Sequence, residues 1–144
     1  MSKMFRVAAV VAAFAAGFVA RGIIPGAPVV EAQGGRVFEL RTYTAPAGKL
    51  EELHSRFKNH TMRIFNRHHM TSIGYFRPQD APLKDNTLIY VLAHPSRDEA
   101  KKNWAEFRAD PEWQKVAAES QAHGELVAKV ESVFLDPADY SPLK

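Results

Sequence analysis

The sequence contains no cysteine among its 144 residues. This absence excludes disulfide bonds, thiol catalysis and a cysteine-linked lipid anchor. The length predicts one domain. An exported domain of this size without disulfides must be stabilised by packing alone.

The motifs of the common cofactor and hydrolase sites are also absent. Gly48-Lys49 lacks the rest of a phosphate-binding loop, and the sequence contains neither GxGxxG nor HExxH. No serine lies in a nucleophile-elbow context. The sequence therefore predicts no nucleotide cofactor and identifies no catalytic residue.

The sequence contains six histidines, which are candidate metal ligands. Four of them lie on or near the first predicted helix: His54, His60, His68 and His69. His54 and His60 are about 240° apart around a helix, and His60 and His68 are roughly 12 Å apart along it. Neither pair can chelate one ion without outside ligands. We expect no metal site and no cofactor.

The excess of basic residues is small, with a net charge of +3 over the whole chain. The first 32 residues hold three basic residues and one acidic residue, which leaves 16 basic and 15 acidic residues beyond them. No block of lysine and arginine with interleaved aromatic residues occurs. The composition predicts no nucleic-acid partner.

Residues 1–32 have the layout of a secretory signal peptide. A basic start, MSKMFR, precedes the apolar run Val7–Ala20, and the small-residue pattern Val30-Glu31-Ala32 follows. The run is short for a membrane span, which needs roughly 20 residues. We expect export, cleavage near Ala32 and no membrane span in the mature chain. An uncleaved membrane anchor and an organelle transit peptide are the alternatives, since no acidic residue precedes Glu31.

Beyond a short linker at 33–36, the pattern predicts one domain over 37–137 and a tail over 138–144. A helical pattern begins at Lys49, and a second helix begins after Ser96. Four strands are predicted, at Val37–Thr44, Thr71–Phe76, Thr87–Ala93 and Lys129–Leu135. The order β-α-β-β-α-β is that of an α+β, ferredoxin-like fold. The strand Thr87–Ala93 is apolar on both faces, which predicts that both faces are covered.

The stretch WAEFRADPEW is rich in aromatic and acidic residues, and it has a structural interpretation. Ser96 and Glu99 form a capping box at the start of the second helix. Asp110 suits a second N-cap, and Pro111 suits the first position of a new helix. The pattern favours a two-part helix that covers a sheet over an active-site wall.

Three stretches, ELRTYT, APAGKL and HPSRDEAKKNWAEFRADPEWQKV, resemble a NIPSNAP domain, and the resemblance covers roughly residues 36–137. It implies ferredoxin-like protomers that pair sheet to sheet as a homodimeric α/β barrel. The family offers no shared catalytic constellation that could be transferred to this chain.

The first strand alternates between two chemically different faces. Phe38 and Leu40 point to one side, and Glu39, Arg41 and Tyr43 point to the other. If the apolar side meets the helices, the polar side faces the lumen of the barrel. Buried charges there need partners.

Tyr90, on a neighbouring strand, completes the predicted ligand-binding set of Glu39, Arg41, Tyr43 and Tyr90. Arg41 would anchor an anionic or carbonyl group through its planar fork. The tyrosines would form an aromatic wall with polar tips, and Glu39 would orient Arg41 or accept a proton. The alternative is that Glu39 and Arg41 neutralise one another as a structural pair.

These observations favour an exported, homodimeric protein that binds a small organic ligand in the barrel lumen. Two other classes stay open. One is a cofactor-independent oxygenase or isomerase of the dimeric-barrel type. The other is a non-catalytic protein-interaction module.

Overall fold

The computed structural model describes residues 35–144, so the predicted signal peptide lies outside the described residues. No helix in the described part of the chain is long and apolar enough to cross a membrane. The strands and helices follow in the order β1 (Val37–Thr44), α1 (Leu50–Arg56), a π-helical turn (Phe57–Thr61), α2 (Met62–Arg67), β2 (Thr71–Phe76), a 3-10 turn (Leu83–Asp85), β3 (Thr87–His94), α3 (Arg97–Ala109), α4 (Pro111–Ser120) and β4 (Lys129–Leu135).

The four strands form one antiparallel sheet in the order β2-β3-β1-β4. β1 lies at its centre and pairs along its full length with β3 on one side. A bulge between Ser72 and Gly74 interrupts the pairing of β2 with β3. This topology confirms the predicted α+β, ferredoxin-like fold.

The predicted assignment of the two faces of β1 was wrong. Glu39 accepts a hydrogen bond from Nε1 of Trp104 in α3, at 2.7 Å. The ring of Tyr43 packs edge-on against Phe57, with 5.8 Å between centroids. Glu39, Arg41 and Tyr43 therefore lie on the face that the helices cover. The prediction assumed that the apolar side of the strand must be inside the protomer, but here internal partners satisfy the polar side.

The opposite side of the sheet, which we call the outer face, is mostly apolar, with Thr42 and Glu131 among its polar residues. Directly opposed residues of antiparallel strands share a face, so Leu40 lies between Val91 of β3 and Val133 of β4. Several outer-face side chains are strongly exposed, including Phe76 at 53 % and Val133 at 52 %. Residues of β3 are apolar on both faces, and Ile89 and Val91 on its outer side are partly exposed in the protomer. That both faces of β3 are covered stays a prediction.

Aromatic rings fill the space between the sheet and the helices. Phe65 of α2 packs against Trp104 and Phe107 of α3, with centroids 5.4 and 4.9 Å apart. Tyr90 of β3 lies 5.1 Å from Phe57 and has no exposed surface. Such tilted and edge-on contacts stabilise a core beyond the burial of area alone. The helices are thereby held rigidly over β1 and β3.

The joint between α3 and α4 is structural, as predicted. Ser96 Oγ accepts the backbone N–H of Glu99 at 3.1 Å, which caps α3. Asp110 Oδ1 accepts the backbone N–H groups of Glu112 and Trp113, which caps α4. The other oxygen of Asp110 accepts two hydrogen bonds from Arg67 of α2. The same carboxylate therefore fixes the start of one helix and the end of another.

The sequence did not predict the π-helical turn at Phe57–Thr61. The hydroxyl of Thr61 donates to the backbone oxygen of Arg56 at 3.3 Å. A π turn inserts one residue into a helix and rotates the residues that follow. Arg56 and Phe57, at the start of the turn, are both buried, with exposures of 7 % and 3 %.

Candidate functional site

A cleft of about 410 Å³ opens between the sheet and α3, and we call it the Arg41 cleft. Its size is within the range of small-molecule sites. The floor comes from β1, one wall from α3 and the other from β4. The lining residues are Glu39, Arg41, Arg97, Asp98, Lys101, Trp104, Arg108 and Phe134.

Glu39 is the most completely bonded polar residue in the cleft, and it is 1 % exposed. Its Oε1 accepts hydrogen bonds from Arg41 Nη1 at 2.6 Å and from Ser132 Oγ at 2.7 Å. Its Oε2 accepts Trp104 Nε1–H at 2.7 Å and lies 3.1 Å from His94 Nε2. The carboxylate thus joins β1, β3, β4 and α3.

The protonation behaviour of Glu39 follows from these bonds. Burial alone would raise its pKa, but hydrogen bonds from His94, Ser132, Trp104 and Arg41 outweigh burial and lower the pKa to about 2. A carboxylate with so low a pKa is a poor proton acceptor near neutral pH. The sequence predicts that Glu39 either orients Arg41 or accepts a proton, and the geometry supports the orientation of Arg41.

Arg41 is fixed in orientation, but not all of its N–H donors have a close hydrogen-bond partner among the described residues. Its guanidinium carbon lies 4.1 Å from the centroid of the Trp104 ring, a cation–π distance. Its Nη2 makes only a long contact, 3.5 Å, with the hydroxyl of Tyr43. Its Nε has no hydrogen-bond partner among the described residues. With its side chain 16 % exposed, Arg41 faces the cleft as a preoriented cation.

Three further cations line the cleft from α3. Arg97, Lys101 and Arg108 share one helix face with Trp104, because these positions are spaced by four, three and four residues. The Arg97 guanidinium carbon lies 4.7 Å from the ring centroid of Phe134. The prediction from sequence did not include this cationic stripe. The spacing of these residues is visible in the sequence, but it shows neither which element lies opposite this helix face nor that a cleft forms there.

Asp98 is the only lining acid besides Glu39. Since Glu39 is already paired with Arg41 at 2.6 Å, the remaining charge of the cleft is positive. Cationic walls of low dielectric concentrate anions from solution. The cleft can therefore attract an anion and offer it fixed donors.

The structure brings Glu39 and Arg41 together at the cleft, but it places Tyr43 and Tyr90 behind them in the core. The two tyrosine rings are 5.2 Å apart, and neither lines the cleft. Burial raises the pKa of Tyr90 well above its usual value, so the phenol stays neutral. Ligand contact by the two tyrosines stays a prediction. In the structure the two tyrosines lie behind Glu39 and Arg41 and do not line the cleft.

No group of three metal-ligating side chains occurs among residues 35–144. The sheet order and the helices on one face define a ferredoxin-like α+β protomer.

Solved structures share this fold. A NIPSNAP family protein with unknown function from Agrobacterium tumefaciens is 24% identical, with a TM-score of 0.68, over 77% of this chain and 96% of that one. A NIPSNAP-like domain protein from Burkholderia xenovorans is 22% identical, with a TM-score of 0.66, over 77% and 93%. SnoaB, a cofactor-independent oxygenase from Streptomyces nogalater, is 16% identical, with a TM-score of 0.50, over 75% and 98%.

The NIPSNAP family model matches residues 38–142, and the chain belongs to the NIPSNAP family. No curated protein matches the chain. The predicted resemblance is thereby confirmed.

Proposed function

We propose that the protein binds a small organic anion in the Arg41 cleft. The observation that carries the proposal is the preoriented Arg41, which Glu39 holds at 2.6 Å while three cations of α3 line the same cleft. A planar guanidinium with spare donors binds carboxylate and similar groups better than a flexible ammonium does. The anionic group of the ligand is placed at Arg41.

The remaining walls favour a ligand with a planar apolar part. Trp104 and Phe134 are the aromatic residues that line the cleft. Both rings already stack with guanidinium groups, those of Arg41 and Arg97. Aromatic rings contribute large contact areas at small entropic cost. We therefore expect aromatic carboxylates to bind better than aliphatic ones of the same charge.

We further propose that the protein is a homodimer whose protomers pair through their outer faces. Large exposed apolar patches mark interaction surfaces, and Phe76, Val133 and Leu135 are each more than 40% exposed. A second copy would bury them against the same patch, as a two-fold interface requires. In this dimer each Arg41 cleft lies on the helix side of its own sheet. The ligand then binds within a protomer and not in the lumen between the sheets.

The enzyme alternatives lack a specific observation in their favour. The likeness to an oxygenase, at 16% identity, is one of fold. The carboxylate of Glu39, at the centre of the cleft, is kept ionised by its four hydrogen-bond partners, and so it is a poor general base. Binding is accordingly the function that the geometry supports.

The binding proposal is tested with 2-naphthoate, an aromatic monocarboxylate, measured by isothermal titration calorimetry. Lys101→Met should weaken binding severalfold, since one exposed ion pair is worth up to about 1 kcal/mol. Arg41→Lys should weaken it by about tenfold or more, because a lysine cannot form the two parallel bonds of the fork.

Lys102→Met is the matched control for Lys101→Met. Lys102 is the next residue on α3, is likewise exposed and does not line the cleft. It should leave the affinity for 2-naphthoate unchanged. Equal losses for Lys101→Met and Lys102→Met, or full affinity in Arg41→Lys, would contradict a site in this cleft.

Export is proposed as well, on the layout of residues 1–32 alone. The protein purified from its native host should then begin near Gln33. Intact-mass spectrometry measures this directly, because removal of the leader shortens the chain by a defined mass. Recovery of the chain with residues 1–20 still attached would contradict cleavage and favour the anchored alternative.

A further inference from the structure

We infer that the protein has a second binding site, for a small monocarboxylate, in a cleft built around Arg56. The cleft encloses about 370 Å³ between α1 with its π-helical turn and α4 with the residues after it. We call it the Arg56 cleft. Its lining residues are Glu52, Ser55, Arg56, Asn59, His60, Val116, Glu119, Ser120, His123 and Leu126.

Arg56 is a buried cation that pairs with no carboxylate among residues 35–144. It is 7 % exposed, and no carboxylate of the described residues lies within 4.0 Å of its nitrogens. Its Nη1 donates to Ser120 Oγ at a long 3.3 Å, and its Nε has no partner among the described residues. The Trp113 ring, 5.2 Å from the guanidinium carbon, is its other electrostatic support.

A buried arginine without a counter-ion lowers the stability of the fold unless a ligand supplies the missing negative charge. Charged groups inside proteins are normally paired, because removal of a charge from water costs several kcal/mol. Burial lowers the pKa of Arg56, which shows that its charged form is disfavoured where it stands. The contrast with Arg41 is informative, since Arg41 is partly buried but has Glu39 as its counter-ion.

The π-helical turn contributes to the shape of this cleft. Arg56 is the last residue of α1, and Asn59 and His60 belong to the turn itself. All three line the cleft. Turns of this type occur often at functional sites, where the inserted residue redirects side chains. The turn is therefore a second feature at the same place as the cleft.

The rim limits the charge of the ligand. Glu52 and Glu119 both line the cleft, and each has a lysine nearby on its own helix, Lys49 at 2.8 Å and Lys115 at 3.9 Å. Two acids at the rim disfavour a dianion such as phosphate. One negative charge suffices to pair with Arg56. Neutral donors on Ser55, Asn59 and Ser120 are available to the rest of the ligand.

This site is separate from the Arg41 cleft, because the two share no lining residue. Each cleft also has its own reporter. The protein contains two tryptophans. Trp104 contacts Arg41, and Trp113 contacts Arg56. The indole N–H signals of the two side chains in an NMR spectrum therefore report on the two clefts independently.

The test is a titration of the full-chain protein with sodium benzoate, with benzamide and inorganic phosphate as comparison probes. Benzoate should shift the Trp113 indole signal saturably, with a Kd of about 1 mM or below. Benzamide and phosphate should shift it with at least about tenfold weaker affinity. Arg56→Met should weaken the Trp113 response to benzoate by about tenfold or more, whereas Arg77→Met, which removes an arginine that lines neither cleft, should not.

Several results would overturn the inference. They are the absence of a saturable Trp113 shift with benzoate, equal affinity for benzamide or phosphate, and an unchanged response in Arg56→Met. The comparison of probes uses the unaltered protein, so it decides the matter even if Arg56→Met does not fold. A shift of Trp104 alone would leave the proposed function intact and refute the second site.

Discussion

Replacement of Glu39 by glutamine is expected to lower the free energy of unfolding by about 3 kcal/mol, the scale for breaking a buried ion pair. Glu39 receives hydrogen bonds from Trp104, Ser132 and Arg41. A glutamine has only one acceptor oxygen, and its amide nitrogen would face donors on the other side. Arg41 would also lose its counter-ion. Chemical denaturation monitored by circular dichroism measures the change.

Glu52→Gln is the control for this prediction. Glu52 also pairs with a basic residue, Lys49, at 2.8 Å, but its side chain is 51% exposed. Its loss should cost at most about 1 kcal/mol. If Glu39→Gln is no more destabilising than Glu52→Gln, the network around Glu39 contributes nothing to stability.

The same network predicts a dependence of stability on pH. The pKa of Glu39 is lowered from 4.5 to about 2 in the folded protein. A lowered folded-state pKa contributes stability that is fully present above the unfolded value and is lost as the pH falls through the folded value. The stability advantage of the native protein over Glu39→Gln should therefore shrink between pH 4.5 and about 2. A constant difference across that window would contradict the low pKa.

Val133→Glu is expected to convert the proposed homodimer into a monomer. Val133 lies on the outer face of β4, opposite Leu40, and is 52% exposed in the protomer. A two-fold interface would bury two new carboxylates close together. Unpaired buried charges cost several kcal/mol, so the dimer Kd should rise by at least about 100-fold. Sedimentation equilibrium gives the mass as a function of concentration.

Val130→Glu is the matched control on the same strand. Val130 is 46% exposed and lies opposite Tyr43, on the face that the helices cover. Since this face is not part of the proposed interface, Val130→Glu should leave the dimer unchanged. A native protein that is monomeric at micromolar concentration would refute the homodimer, and equal effects of the two variants would refute the outer face as its interface.

The two arginines that dominate the clefts are related through the core. Arg41 lies 5.5 Å from the ring centroid of Tyr43. Tyr43 packs edge-on against Phe57, the residue that follows Arg56. Tyr90 belongs to the same aromatic core, against which Tyr43 packs.

Local patterns were sufficient to predict the strands and the helix joint. β1, β2 and β4 have the predicted bounds, and β3 extends one residue further, to His94. The caps formed by Ser96 and Asp110 depend on residues within three positions of one another. Such short-range hydrogen bonds are set by the sequence itself. The α+β fold class followed from the order of these elements.

The sequence by itself therefore determined the elements, their order and the family, and it identified Glu39 and Arg41 as an exceptional pair. Only the tertiary structure decided which face of β1 is covered. The alternation of residue types along β1 shows that its two faces differ. It does not show which face the helices cover, because that depends on partners distant in sequence. Trp104 and Ser132, 65 and 93 residues from Glu39, make its polar face the inner one. The two clefts have the same origin, since each is lined by segments that are distant in the sequence.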